Sequence, residues 1–376
     1  MGERPAPLVL VTTPRTDQPF GSHAAVAAEG QRLLAAELSQ RLGRLGAAVA
    51  PLHPAEANGF HWGQWFTAAA RSALAAAAGP VDAVGYAGGA SLALLADADL
   101  DALLSPIAGE VVANNRFSAD AFVVAGDLDA ALYAMASCET DNVAARRLSE
   151  AGFGWRDLGS APWTRFDVDT TLDLALLRLA TRLPGTRPLD GGVRGFLEMA
   201  RLPGDRRLEV PHLDALGAVV RDRHAELVVA GRIPGATFQA LETDAACRVR
   251  SFVEERGMRS ARGGGAGRGP RSLLASFAAA TSPAALISEL AGLGDAVVLD
   301  SRVLMAARAG SADAAAWPPE EERFASDFGD ARRIETRWLR ELTEAVASAP
   351  VPVLLGGHAL VSDGLRLILD AAWLGR

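Results

Sequence analysis

The stretch Thr164-Arg165-Phe166-Asp167-Val168-Asp169-Thr170-Thr171-Leu172-Asp173-Leu174 decides how the first half of the chain is read. An apolar-flanked Asp-x-Asp is short enough to close one strand, and two-residue alternation sends both carboxylates to the same side. Like charges that close repel unless a cation sits between them, and Mg²⁺ (or Mn²⁺), which prefers oxygen ligands, answers that need. Asp167 and Asp169 are therefore candidate metal ligands, with a solvated turn as the bland alternative. Asp173 opens an apolar helical pattern (Leu174, Leu176, Leu177, Leu179), where a carboxylate suits the unpaired N–H groups and the helix dipole. The segment reads as strand end, metal corner and helix start.

Upstream, short apolar runs alternate with alanine- and leucine-rich helical stretches. Strands are expected over residues 7–13, 47–52, 81–87, 109–113 and 121–124, with helices between them. Such alternation predicts an α/β fold with a mostly parallel sheet. The turn formers of 184–192 mark a boundary. The expectation is an N-terminal three-layer Rossmann-like domain over 1–187 and a second, smaller α/β domain over 188–376.

Four polar clusters follow predicted strands of the first half: Gly21-Ser22-His23, Gly88-Gly89-Ala90-Ser91, Asn114-Asn115-Arg116-Phe117-Ser118-Ala119-Asp120, and Asp167-Val168-Asp169. Carboxyl ends of parallel strands share one edge, which is where open α/β sheets bind ligands. Gly88 and Gly89 can offer backbone N–H groups to a phosphate, or simply turn the chain. Asn114 and Asn115 can bond a base or ribose, or form an Asx turn. Ser118 lies beside them, Asp120 can add a third carboxylate, and His23 can contact a phosphate.

Bulk composition narrows the classes. A chain of 376 residues with 49% hydrophobic and 22% charged residues exceeds one ordinary core, so two domains are expected. The net charge of −8 gives no basic footprint for nucleic acid. All 37 basic residues are arginine, which excludes a lysine Schiff base and a P-loop lysine. Cys138 and Cys247, far apart, read as buried small hydrophobes rather than a disulfide or zinc pair. No leader-like start and no run of ~18 apolar residues is found, so a cytoplasmic protein without a membrane partner is expected. The glycine-rich tract 263–270 reads as a surface loop.

The element Asp167-Val168-Asp169-Thr170-Thr171-Leu172-Asp173-Leu174 resembles the "DVDTPEDL" element of nucleotidyltransferases with a GT-A-like fold. Among these it resembles the 2-phospho-lactate guanylyltransferases of deazaflavin coenzyme biosynthesis and, more distantly, the molybdenum-cofactor guanylyltransferases. The resemblance covers residues 7–185. It implies that Asp167 and Asp169 hold a divalent metal against substrate phosphate and carboxylate, and that Asp173 takes the helix-start position. It implies a nucleoside triphosphate and a small anionic acceptor as partners, and a homodimer is compatible with it. Two departures stand out. The stretch after Val11, Thr12-Thr13-Pro14-Arg15-Thr16-Asp17-Gln18-Pro19-Phe20-Gly21, lacks the family's glycine-rich loop, leaving Arg15 as a phosphate contact. The family's central metal aspartate falls at Gly88-Gly89-Ala90-Ser91-Leu92, which has no carboxylate, so either Asp120 replaces it or the transfer reaction is altered or lost.

In the second half, strands are expected over 226–231, 295–300 and 351–358, and helices over 236–257, 272–293, 331–347 and 365–374. Gly231-Arg232, Asp300-Ser301-Arg302 and Gly356-Gly357-His358 each follow a strand, so Arg232, Asp300, Arg302 and His358 form a second candidate site for an anionic small ligand. Three functions follow: Mg²⁺-dependent nucleotidyl transfer, a noncatalytic nucleotide-binding or regulatory relative, or a small-molecule enzyme seated in the second half.

Overall fold

A computed structural model describes residues 5–14, 18–19, 21–53, 60–158, 163–255 and 269–374. The chain is α/β and divides into two compact units that interleave in sequence. Arg15 and residues 263–268 of the glycine-rich tract lie outside the described residues.

The first unit takes the amino-terminal strand, Ala28–Asp167 and Arg187–Val193. Its strands are β1 (Leu8–Thr12), β2 (Ala48–Leu52), β3 (Ala83–Ala87), β4 (Glu110–Ala113), β5 (Ala121–Ala125) and β6 (Gly154–Asp157). They form one sheet in the order β2-β1-β3-β5-β4-β6. β5 runs antiparallel to β3 and β4; the other pairings are parallel. Five strands therefore end at one edge, and β5 begins there. Strand alternation supplies two cores. Leu8, Leu10, Val84, Tyr86, Phe122 and Val124 pack on one face with Trp62 and Phe66. Val9, Val11, Val112 and Val123 pack on the other with Leu38 and Leu42 of a long helix. β1 and β3, the strands on either side of the topological switch, are flanked by parallel crossovers in opposite directions, the arrangement that opens a ligand crevice.

The second unit holds a small hairpin, β7 (Arg201–Leu202) and β8 (Arg206–Arg207), and a sheet of β9 (Glu226–Gly231), β10 (Arg248–Val253), β11 (Ala296–Asp300) and β12 (Val353–Gly356). The sheet order is β10-β9-β11-β12, all parallel. Val228, Ala230, Val297, Leu299, Val353 and Leu355 pack against Leu286, Leu290, Leu339 and Leu342 of the flanking helices.

Three expectations are corrected. The Asp-x-Asp segment is not a strand end: Asp167 makes only an isolated bridge to Ser91, after a turn at Trp163–Arg165. The turn and the early helix cap leave too few extended residues for a ladder. The helix expected over 236–257 stops at Asp244, and Arg248–Val253 is the edge strand β10. Arg248-Val249-Arg250 alternates as a strand does before the pattern breaks at Ser251, and its arginines sit on an edge that must resist pairing with other chains. The helix expected over 331–347 breaks into a 3₁₀ turn (Ala331–Arg333) and Arg337–Ala347. β6 was not foreseen, because Gly154-Trp155-Arg156-Asp157 has no apolar run.

Candidate functional site

The carboxyl edge of the first unit gathers polar groups from loops distant in sequence. The turn after β3 is fixed first. Gly89 N–H donates to Thr12 Oγ1 at 2.8 Å, and a Cβ there would lie 2.0 Å from the Thr12 carbonyl oxygen, so only glycine fits against the end of β1. Gly88 N–H donates to the Asp120 carbonyl oxygen at 2.8 Å, and Ser91 Oγ donates to the Gly88 carbonyl at 2.7 Å.

The β4–β5 connection is held just as firmly. Buried Asn114 donates through Nδ2 to Asp120 Oδ2 at 3.0 Å and to the Thr164 carbonyl at 2.9 Å. Its Oδ1 accepts from Asp120 N–H and Ala121 N–H. Asn114 thus spends its amide on the scaffold, and the Asx-type role describes it better than base recognition. Asn115 Oδ1 accepts from Phe117 N–H at 3.1 Å, and Ser118 Oγ meets Asn142 Oδ1 at 2.6 Å. Beside them, Tyr86 OH donates to Asp141 Oδ2 at 3.1 Å; burial, then the Asp141 carboxylate, pushes its phenol well above the usual tyrosine range.

Three of the four sequence clusters are therefore brought together: Gly88 to Ser91, Asn114 to Asp120, and Asp167 through its bridge to Ser91. Asp120 and Asp167 are half-buried. The first cluster belongs to the second unit. Gly21 sits at φ +76°, Ser22 Oγ caps a helix by accepting from Ala25 N–H at 3.0 Å, and His23 is buried. The His23 ring stacks on Phe328 at 5.5 Å. Neither ring nitrogen has a hydrogen-bond partner among the described residues. Burial lowers its pKa to about 4, with Asp330 opposing and Arg333 and Arg206 reinforcing.

Asp169 also belongs to the second unit and is exposed. Its N–H donates to Asp173 Oδ2 at 3.1 Å. Thr170 and Asp173 complete a capping box for the helix Thr171–Ala180, the role read for Asp173 from its position. Asp173 is 2% exposed, and its Oδ1 has no partner among the described residues. Burial raises its pKa to about 7, helped by the charge of Asp169.

At the carboxyl edge of β9, β11 and β12, Arg232, Asp300 and Arg302 enter two ion pairs, Arg232–Asp300 and Arg302–Asp327. Asp300, fully buried, accepts from Arg232 Nε at 2.6 Å and Nη2 at 3.0 Å, and from Arg302 N–H at 3.1 Å. Burial pushes this carboxyl up, but Arg232, with His358 and Arg302 behind it, holds it below the usual carboxylate range. Gly231 makes room for it: at φ +136°, a Cβ there would lie 2.3 Å from Asp300 Cβ. Arg302 forks onto Asp327 with two bonds of 2.6 Å. His358 is exposed after the Gly356-Gly357 turn. Next along the chain, a π-turn at Leu360–Gly364 carries Ser362 out of helical geometry. Asp327 and the Ser326–Thr343 hydroxyl pair at 2.8 Å were missed in the sequence, where nothing marks them apart from surface helix positions.

Among the described residues, no three His, Cys, Asp or Glu side chains gather as a metal site, and no single helix is long and apolar enough to cross a membrane. No family model matches the chain, and a search of the curated proteins returns no match either.

Proposed function

We propose that the first unit is a GT-A-like nucleotidyltransferase domain. It binds a nucleoside triphosphate at its carboxyl edge and transfers the nucleotidyl group to a small phosphorylated or carboxylated acceptor. One observation carries this reading: two carboxylate residues, Asp120 and Asp167, flank the same Gly88–Ser91 turn from opposite ends of a 47-residue interval, at the switch point of a mostly parallel sheet. Asp120 thereby answers the missing carboxylate in the Gly88-Gly89 turn.

Mg²⁺ (or Mn²⁺) fits this donor set. Magnesium is commonly held by one or two carboxylates with substrate phosphates and water completing the shell, so a cage of three protein ligands is not needed. Asp120 and Asp167 would hold it; the ion supplies charge neutralisation on the phosphates. The protein's share is positioning. The Gly88–Ser91 turn and the Asn114 clamp fix where the triphosphate lies, and no protein nucleophile is required. An acceptor oxygen forms a bond to the α-phosphorus, the bond to the β-phosphate oxygen breaks, and pyrophosphate leaves with that electron pair. The chain's lack of lysine is consistent with such a reaction.

A noncatalytic nucleotide-binding relative is the second reading, favoured by Thr12-Thr13-Pro14 after β1 in place of a glycine-rich loop. Calorimetric titration of GTP, CTP and ATP with and without Mg²⁺, on wild type and on Asp120→Ala and Asp167→Ala, tests both. Metal-dependent binding lost in either variant, with pyrophosphate released on adding acceptor, supports transfer. Binding without pyrophosphate release supports the noncatalytic relative, and no nucleotide binding ends both.

A further inference from the structure

We infer that Phe117 is the stacking platform for the nucleobase, a subsite that rests on the nucleotide-binding reading above. Its loop joins β4 to β5 at the ligand edge and is tied down along its whole length. Asn114 ties down the foot of the loop through four bonds to Asp120, Ala121 and Thr164, and Asn115 Oδ1 accepts from Phe117 N–H. Ser118 reaches Asn142, and Ala119 N–H donates to the Asn142 carbonyl at 3.3 Å. A loop so restrained still presents an aromatic ring that is 62% exposed.

The ring is also braced from behind. The Arg116 guanidinium lies 5.7 Å from the Phe117 centroid and 5.8 Å from that of Trp155 on β6, and its Nη2 donates to Ser149 Oγ at 3.0 Å. Arginine stacked between two rings holds Phe117 in place by cation–π attraction. A flat ring already ordered before binding loses little entropy when a second flat ring covers it. Scattered apolar side chains on a surface need no explanation. An aromatic ring held by a polar loop and a guanidinium, three residues before Asp120 on that same loop, does. The matching ligand surface is the π-face of a purine or pyrimidine.

Stacking is tolerant of base identity because each base has a π-face, and aromatic removal weakens binding by at least about fivefold per stacked base. The test titrates ATP, GTP, CTP and inorganic tripolyphosphate, all with Mg²⁺, into the full chain, its Phe117→Ala variant and its Phe117→Trp variant. We expect Phe117→Ala to weaken all three nucleotides by at least about fivefold and leave tripolyphosphate unchanged, and Phe117→Trp to retain wild-type affinity. Nucleotide affinity unchanged in Phe117→Ala, or tripolyphosphate weakened equally, overturns the platform and leaves the nucleotide reading standing. Absence of nucleotide binding by the wild type overturns the two together.

Discussion

At the edge of β1–β6, polar side chains bond mainly to backbone groups of neighbouring loops, Asp120 and Asp167 are only partly buried, and Phe117 is exposed. At the edge of β9–β12, charged side chains bond to one another: Arg232 to Asp300 and Arg302 to Asp327, with three of the four buried. Both edges have the strand geometry that opens a ligand crevice. Only the first spends its interactions on shaping loops while keeping carboxylates within reach of solvent. The second has turned the same geometry into an internal ion-pair network. A sheet edge therefore indicates where a ligand can bind, and the partners of its polar groups indicate whether the place is taken.

The sharpest way to break this contrast is to remove one charge from the second network. Arg302→Met leaves Asp327 buried without its guanidinium beside Asp300 and Asp173, and breaking such a pair costs about 3–5 kcal/mol. Urea unfolding should show that loss. The double variant Arg302→Met/Asp327→Leu should recover much of it, because no lone charge then stays buried. A single variant as stable as wild type would show that the network is not structural, and the contrast between the edges would fail.

A second, smaller effect sharpens it through pH. Asp173 Oδ2 accepts from Asp169 N–H, Thr170 N–H and Thr170 Oγ1, so its proton belongs on Oδ1, which has no partner among the described residues. The folded pKa, raised from 3.8 to about 7, means that the folded protein holds this proton more tightly than the unfolded chain. The group's contribution is fully present below pH 3.8 and is lost as pH rises through about 7. The shift bounds that loss at about 4 kcal/mol, before relaxation reduces it. His23 works in the opposite sense: its pKa is lowered from 6.5 to about 4, so its contribution is present above 6.5 and lost as pH falls. Asp173→Asn, an uncharged isostere, should be more stable than wild type above pH 7 and should lose the Asp173 slope between pH 4 and 7 while keeping that of His23. Thermal melts across pH 4–8 check it, and parallel stability profiles for the two proteins would refute the buried-proton account.

These features differ in how far the sequence discloses them. The alternation of apolar runs with helical stretches revealed the α/β class, and β9 and its turn were legible because Leu227–Ala230 is an unbroken apolar run ending at Gly231. Arg248–Val253 was not, since its alternation breaks after Arg250 and the segment falls within the same window as the helix before it. Asp173 was readable as a helix-start acid because capping is local. The Arg302–Asp327 pair was not, because ion pairs across 25 residues leave no spacing signal. Convergence of Gly88 and Asn114 on one edge followed from strand direction, whereas Asp167 reaches it through an isolated bridge to Ser91 and not at a strand end. That Asn114 spends its amide inward depended on the reversed strand β5, which brings Ala121 N–H opposite it.

The smallest of the expected stability losses concerns Asn114 itself and separates scaffold from site within the first unit. Its side chain carries four bonds that tie β4, the start of β5 and the Thr164 turn together. Asn114→Ala leaves the Asp120 and Ala121 N–H groups and the Thr164 carbonyl without that partner, and each buried group left unsatisfied costs about 1–3 kcal/mol. Solvent reaches Asp120 and relieves part of this, so we expect a net loss of about 2 kcal/mol in urea unfolding. Asn114→Asp should cost more than its size suggests, since a carboxylate cannot donate to Asp120 Oδ2 and places a like charge beside it. If Asn114 recognised a base instead, Asn114→Ala would lower nucleotide affinity while leaving the unfolding curve in place. The two readouts, taken on the same variant, decide between a clamp that shapes the edge and a contact that touches the ligand.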